Sequence, residues 1–93
     1  MAIISFKCAD TQDLFDRLRV KRFANIEAVA RRKLEQLEFA AVIDDLRIPP
    51  GNRLEALRGG RAGQYSIRIN DQFRVCFTWS PQGPRNVEIV DYH

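Results

Sequence analysis

Two stretches of the chain alternate strictly between apolar and polar positions. Tyr65, Ile67 and Ile69 interleave with Gln64, Ser66 and Arg68; Phe73, Val75, Phe77 and Trp79 interleave with Arg74, Cys76 and Thr78. A period of two is the pattern of half-buried strands. Upstream the period lengthens. Ile26, Val29, Ala30, Leu34, Leu37 and Ala41 recur three or four apart, which predicts a helix from about Ile26 to Ala41 behind an Asn25 cap, with one core-facing stripe. Glu27, Arg31 and Glu35 lie i,i+4 on its other side, where they can pair weakly. A shorter helix is predicted from Thr11 to about Leu18, with Asp10 as its cap. Ile3 to Lys7 reads as a first strand, and Val87 to His93 as a last one, apolar enough in Val87, Ile89 and Val90 to be an inner strand. Pro49, Pro50 and Gly51 stop the helical half, and Ser80 to Asn86 reads as a loop. A further short strand fits at Leu54 to Leu57. The order β-α-α-β-β-β predicts one α+β domain over residues 1–93, with two N-terminal helices packed on one face of a mainly antiparallel sheet. The opposite face is expected to be polar and lined by arginine.

The link between the two alternating runs fixes their register. A two-residue turn at Asn70-Asp71 would set Ile67 against Arg74 and mix the faces. A three-residue loop pairs Ile69 with Phe73 and Arg68 with Arg74, and keeps both patterns intact. Two like charges then stand opposed on the non-core face, which destabilises a sheet unless a carboxylate, solvent or an anionic ligand answers them.

Charge sharpens this picture more than length does. The 93 residues suit a single domain with a modest core, and 45% hydrophobic with 29% charged residues is a globular balance. The net charge is only +3, but arginine supplies 12 of the 15 basic residues. Arginine is the side chain of bidentate phosphate contact. Arg47, Arg53, Arg58, Arg61, Arg68 and Arg74 face only Glu55 and Asp71 in the same span. An arginine-preferring genome and a solvated face would give the same composition. Arg17, Arg19, Lys21 and Arg22 crowd a link with no acid inside it, and solvent is the slightly favoured environment.

Met1 to Phe6 is too short for a signal peptide and charge follows at once. No apolar run approaches the roughly 20 residues of a membrane span. With Cys8 and Cys76 far apart, reduced thiols in a cytoplasmic protein are the simplest expectation. One histidine, two distant cysteines and no clustered carboxylates leave no expected metal site or cofactor. Phosphate-binding glycine motifs are missing, since Gly59-Gly60-Arg61-Ala62-Gly63 lacks their spacing.

A carboxylate, a histidine, a tyrosine and several arginines remain, and these are the parts needed to cut RNA through its own 2′-OH. That reaction needs a base for the hydroxyl, an acid for the leaving 5′ oxygen and positive charge around the crowded phosphate. His93, after Asp91-Tyr92, is the single histidine. Its ordinary pKa near ~6.5 lets it exchange a proton at neutral pH.

Three segments carry a family resemblance: Pro50 to Gly59 (PGNRLEALRG), Gly63 to Phe77 (GQYSIRINDQFRVCF) and Val87 to His93 (VEIVDYH). Together with the Phe6 to Thr11 opening they resemble the HigB toxins, more narrowly the GraT-like branch, within the RelE superfamily of type II toxin–antitoxin systems. The resemblance implies a RelE-like microbial RNase fold and a metal-free, ribosome-dependent mRNA endonuclease that cuts the codon in the A site. It also implies a HigA-like helix-turn-helix antitoxin as partner, with operator DNA reached only through that complex.

In such enzymes the functional positions are a histidine before the first long strand, a lysine three residues later, a strand arginine and the closing Asp-Tyr-His. Here Arg74 matches the strand arginine, and Asp91, Tyr92 and His93 match the ending. Arg58 replaces the lysine, and Glu55 replaces the first histidine. A glutamate base with a near-terminal histidine acid is the arrangement of YoeB, another RelE relative. The resemblance therefore implies Glu55 as base, His93 as acid, and Arg74 and Arg58 on the RNA phosphate; the residues themselves add Arg68 and Arg61 as expected phosphate contacts. Tyr92 would stack a base or orient the scissile group, and Asp91 would fix His93 or a nearby arginine. A Glu55–Arg58 salt bridge is the plain structural alternative. In function, the alternatives are a non-catalytic module that blocks translation by occupying the ribosome or binding the antitoxin, and a DNA-binding regulator acting inside the antitoxin complex.

Overall fold

The hairpin that the alternation predicts is the centre of the sheet. The computed structural model describes residues 2–92. It contains helices α1 (Ala9–Phe15) and α2 (Glu27–Phe39) and strands β1 (Glu55–Ala56), β2 (Tyr65–Arg68), β3 (Phe73–Ser80) and β4 (Gly83–Asp91). The strands form one antiparallel sheet in the order β1-β2-β3-β4. Ile67 pairs with Val75 and Arg68 with Arg74, and the amide of Ile69 donates to Phe73, as the three-residue loop requires. Asn70 holds that loop by accepting the amides of Gln72 and Phe73 on its Oδ1.

Ile67, Val75, Phe77, Val87 and Ile89 project from the sheet into a core shared with Leu14, Phe23, Ile26, Ala30, Leu34 and Leu37. The helices therefore cover one face. Both helices differ in extent from the sequence reading, and α2 ends at Phe39 and not at Ala41. The segment Lys21–Ile26 is a 3₁₀ turn, because Phe23 and Ile26 must both be buried, and α2 begins only after it, behind Ile26 and not Asn25. Helix α1 starts after Cys8, so Asp10 lies in its first turn and forms an ion pair with Arg22. It stops at Phe15, before Leu18, and Arg17 takes a left-handed conformation there (φ 68°). Arg31 does more than pair with Glu27 at 3.1 Å. It also donates to the carbonyl of Leu14, which accepts the Arg17 amide as well, and to that of Leu18, and so ties α2 to the end of α1. Glu35 pairs instead with Arg17.

The predicted loop after β3 is mostly strand. Ser80 pairs with Gly83, so only Pro81 and Gln82 turn, and Pro84 sits opposite Trp79. Farther on, Cys76 pairs with Glu88 but Thr78 with Arg85, so Asn86 and Val87 together oppose Phe77. This is a β-bulge, and Asn86 carries its positive φ of 53°. The strand β4 is the last of the sheet, not an inner one. Its apolar character matches a partly covered edge: Phe6 bridges Val87 in parallel, and Ser5 accepts the Val87 amide on its carbonyl and the Asn86 amide on Oγ. The expected first strand is thus a single bridge.

Thr11 completes that edge by accepting the Ile89 amide on Oγ1 at 3.0 Å, with both residues buried. Thr11→Val preserves shape but strands the amide. It is expected to cost about 1–3 kcal/mol, read as a lower urea midpoint and faster hydrogen exchange at Ile89.

Candidate active site

The face turned away from the helices is built in rows. Cross-strand pairing lines up Glu55, Ser66, Cys76 and Glu88, and next to them Arg68, Arg74 and Val90. Tyr92 stands on the same face one row farther along, two residues beyond Val90, where its amide donates to the Gln72 carbonyl. Its hydroxyl meets Cys76 Sγ at 3.8 Å, and the Arg74 guanidinium lies 5.8 Å from its ring centroid.

The opposed arginines are answered differently. Arg68 bonds to the exposed Asp71, a contact that solvent weakens. Arg74 has no carboxylate among the described residues. Its Nε donates to Ser66 Oγ at 2.8 Å and one terminal nitrogen to the Arg53 carbonyl at 2.7 Å. Both acceptors are neutral, so the Arg74 charge is oriented without being cancelled. Arg53, Arg68, Asn70, Asp71, Arg74 and Tyr92 surround a shallow depression of about 290 Å³. Its size and three guanidinium groups suit a phosphate or a flipped nucleotide.

Glu55 and Arg58 line a second, wider depression of about 570 Å³. Both are exposed, and the described residues form no salt bridge between them. The remaining expected residues divide. Arg61 is half-buried and bonds to Gln64 and, at 3.6 Å, to Glu88, which also takes Lys7. Asp91 pairs with Phe73, on the helix side of the sheet. There it accepts from Gln72 at 3.0 Å and shares a depression with Arg22 and Phe23. Asp91 and Tyr92 therefore leave the end of β4 toward opposite faces. His93 lies outside the described residues.

Three contributors escaped the sequence reading. Ser66 and Cys76 share the alternation of Arg68 and Arg74, so their place on this face was legible. The part played by Arg53 was not: it depends on a left-handed backbone (φ 47°, ψ 54°) that no glycine announces. In the basic link, Arg17 and Arg22 are paired with Glu35 and Asp10, so part of it is structural and not simply solvated.

Burial raises the thiol pKa of Cys76 and, with the Cys76 contact added, the phenol pKa of Tyr92, so both stay protonated at neutral pH; Arg61 and Arg74 oppose these shifts only partly. Cys8 moves the other way. Burial opposes its ionisation, but the amide and hydroxyl of Thr11, the Asp10 amide and Arg22 together outweigh it. Both thiols are free. Iodoacetamide at pH 8 is expected to label Cys8 alone in the folded protein and both after denaturation, as peptide mass spectrometry would show.

Among the described residues no helix is long and apolar enough to cross a membrane. Comparison with known proteins bears on the arrangement as a whole. The family described as "RelE-like toxin of type II toxin-antitoxin system HigB" matches residues 11–93. Toxin HigB-1 of Vibrio cholerae serotype O1 is 52% identical over 56 residues, 60% of this chain and 59% of that protein. An uncharacterized protein of Haemophilus influenzae is 36% identical over 64 residues, 69% of this chain and 63% of its own length. The matched regions thus span about three-fifths of each relative. Among solved structures, the YoeB/ParE toxin from Agrobacterium tumefaciens superposes over 100% of both chains with a TM-score of 0.58 and 20% identity, a likeness of fold. The α+β arrangement of two helices on an antiparallel sheet is therefore that of the RelE-like toxins, and the chain belongs to the HigB family of type II toxin–antitoxin toxins.

Proposed function

We propose that the chain is a ribosome-dependent mRNA endonuclease that cuts the codon in the A site and so stops translation. The observation that carries this reading is Arg74: a guanidinium held by neutral acceptors, with no carboxylate paired to it among the described residues, in a depression it shares with Arg53, Arg68, Asp71 and Tyr92. Such a preorganised charge stabilises a phosphorane more than it stabilises a ground-state phosphate.

In the reaction, Glu55 takes the proton of the 2′-OH. The O2′–P bond forms, the P–O5′ bond breaks, and His93 gives a proton to the departing 5′ oxygen, leaving a 2′,3′-cyclic phosphate. Arg74 and Arg58 hold the non-bridging oxygens, and Tyr92 stacks on a base exposed beside them. Arg68 serves the phosphate once Asp71 releases it. Arg61, already bound to Glu88, contributes to the shape of the site. Asp91 contributes by holding the end of β4 against Gln72. The partners in this reading are the ribosome, its mRNA and a HigA-like helix-turn-helix antitoxin. Operator DNA is reached only through the antitoxin complex, and the setting is the cytoplasm.

Primer extension on a message translated by purified ribosomes tests the proposal, with wild-type protein, Glu55→Ala and His93→Ala. Discrete cuts at A-site codons that vanish in both variants are the expected result. Loss only with His93→Ala would remove Glu55 from the proton transfers. Arrested ribosomes on intact messages would replace cleavage with inhibition by occupancy.

A further inference from the structure

Among the described residues, Asn52 is one of three fully buried polar side chains, together with Thr11 and Ser66. Its Nδ2 donates to Gln36 Oε1 at 2.8 Å and to the carbonyls of Leu46 and Ile48 at 3.1 and 3.4 Å. Its Oδ1 accepts Lys33 Nζ at 2.5 Å. One amide thus ties two turns of α2 to the chain on both sides of Pro49. Burial, followed by Arg32 and Arg68, pushes the Lys33 pKa down.

The next residue is Arg53, in the left-handed region, whose carbonyl receives Arg74. A left-handed non-glycine residue persists only where its surroundings hold it. Here the amides of Asn52 and Arg53 bond back to Pro49 and Pro50, and the Asn52 side chain anchors the turn to α2.

We propose that Asn52 is a positioning residue for Arg74: by anchoring the turn to α2 it aims the Arg53 carbonyl, and that carbonyl sets the guanidinium across the sheet face. The value of this placement for RNA cleavage rests on the function proposed above. The placement itself does not. Two acceptors hold Arg74, and Ser66 Oγ alone would leave the planar guanidinium free to pivot about the single Nε–H···Oγ hydrogen bond. The carbonyl removes that freedom.

The test is a double-mutant cycle with a second readout on the isolated protein. Asn52→Ala is expected to lower single-turnover cleavage on ribosomes about 10- to 100-fold, the scale of a displacement near 1 Å. It should cause no further loss in an Arg74→Ala background, although it lowers the melting temperature equally in both. Equal rate losses in both backgrounds would mean that Asn52 serves stability alone, and would overturn the proposal. In the free protein, the Arg74 Nε–H resonance should be sharp and slow to exchange in the wild type, and broadened in Asn52→Ala; an unchanged resonance would also overturn it. This arm decides the matter even if the wild type cuts no message, in which case only the endonuclease reading fails. Should Asn52→Ala not fold, Lys33→Met removes a single bond to the same amide and is expected to show the same dependence on Arg74, with a smaller rate loss.

Discussion

Replacing Arg74 by alanine is expected to slow the proposed ribosome-dependent cleavage by about 10²–10³-fold, the usual cost of removing one preorganised donor from a developing oxyanion. The effect should fall on the chemical step. Arg53, Arg68 and Arg58 remain to bind the backbone, so ribosome affinity should change little, and single-turnover rates at saturating ribosome would carry the loss. Arg74→Lys is a sharper probe. It keeps the charge, but an ammonium cannot span the Ser66 hydroxyl and the Arg53 carbonyl as the planar guanidinium does. A rate between those of wild type and Arg74→Ala would separate geometry from charge. The loss of stability should be modest, about 1–2 kcal/mol for the hydrogen bonds removed. An Arg74→Ala protein that still cuts within threefold of wild type would move the reaction centre away from this depression.

The largest expected effect on stability is at Phe77. Its side chain is fully buried, stacks on Tyr65 with centroids 6.3 Å apart, and stands where Asn86 and Val87 bulge past it. Phe77→Ala is expected to cost about 3–5 kcal/mol through lost burial and the cavity left behind. A domain of this size has only about 5–15 kcal/mol in total, so the urea transition should move down by a large part of its range. Phe39, 79% exposed at the end of α2, is the matched control. Phe39→Ala should stay within about 0.5 kcal/mol of wild type. Comparable losses at the two positions would contradict the placement of the core.

What could be read from the residues followed from how local each signal was. The β2–β3 register was legible because a three-residue loop, unlike a two-residue turn, keeps Ile67 and Val75 on the same side as each other and apart from Arg68 and Arg74. The helical stripe of α2 was legible for the same reason. Its start was not, because Lys21–Ile26 is shaped by the burial of Phe23 and Ile26 against distant strands, and the polar Asn25 looked like a better cap than Ile26. The stretch around Pro81, Gly83 and Pro84 looked like a loop because proline and glycine break ladders in general. Pro84, however, occupies a place where its carbonyl accepts the Ile4 amide and its missing N–H costs no ladder bond. In the site, the arginine face was readable from alternation, and Tyr92 from its place after β4. The separation of Asp91 from Tyr92 followed from the same alternation, although the shared Asp-Tyr-His ending drew them together. The Asn52–Arg53 turn left no local trace, because its conformation is fixed by side chains of α2.

The N-terminal segment along β4 also bears on how copies of the chain meet. An open strand edge invites another chain to add to it, and a small arginine-rich toxin made in quantity would be exposed to that hazard. Here the amides of Asn86, Val87 and Ile89 are occupied by Ser5 and Thr11, and the carbonyls of Pro84 and Val87 by the amides of Ile4 and Lys7. At the other side of the sheet, β1 offers only two residues, one of them the charged Glu55. Neither border is a good template for polymerisation, so the face that carries Arg74 can stay open to solvent without the sheet growing from its sides.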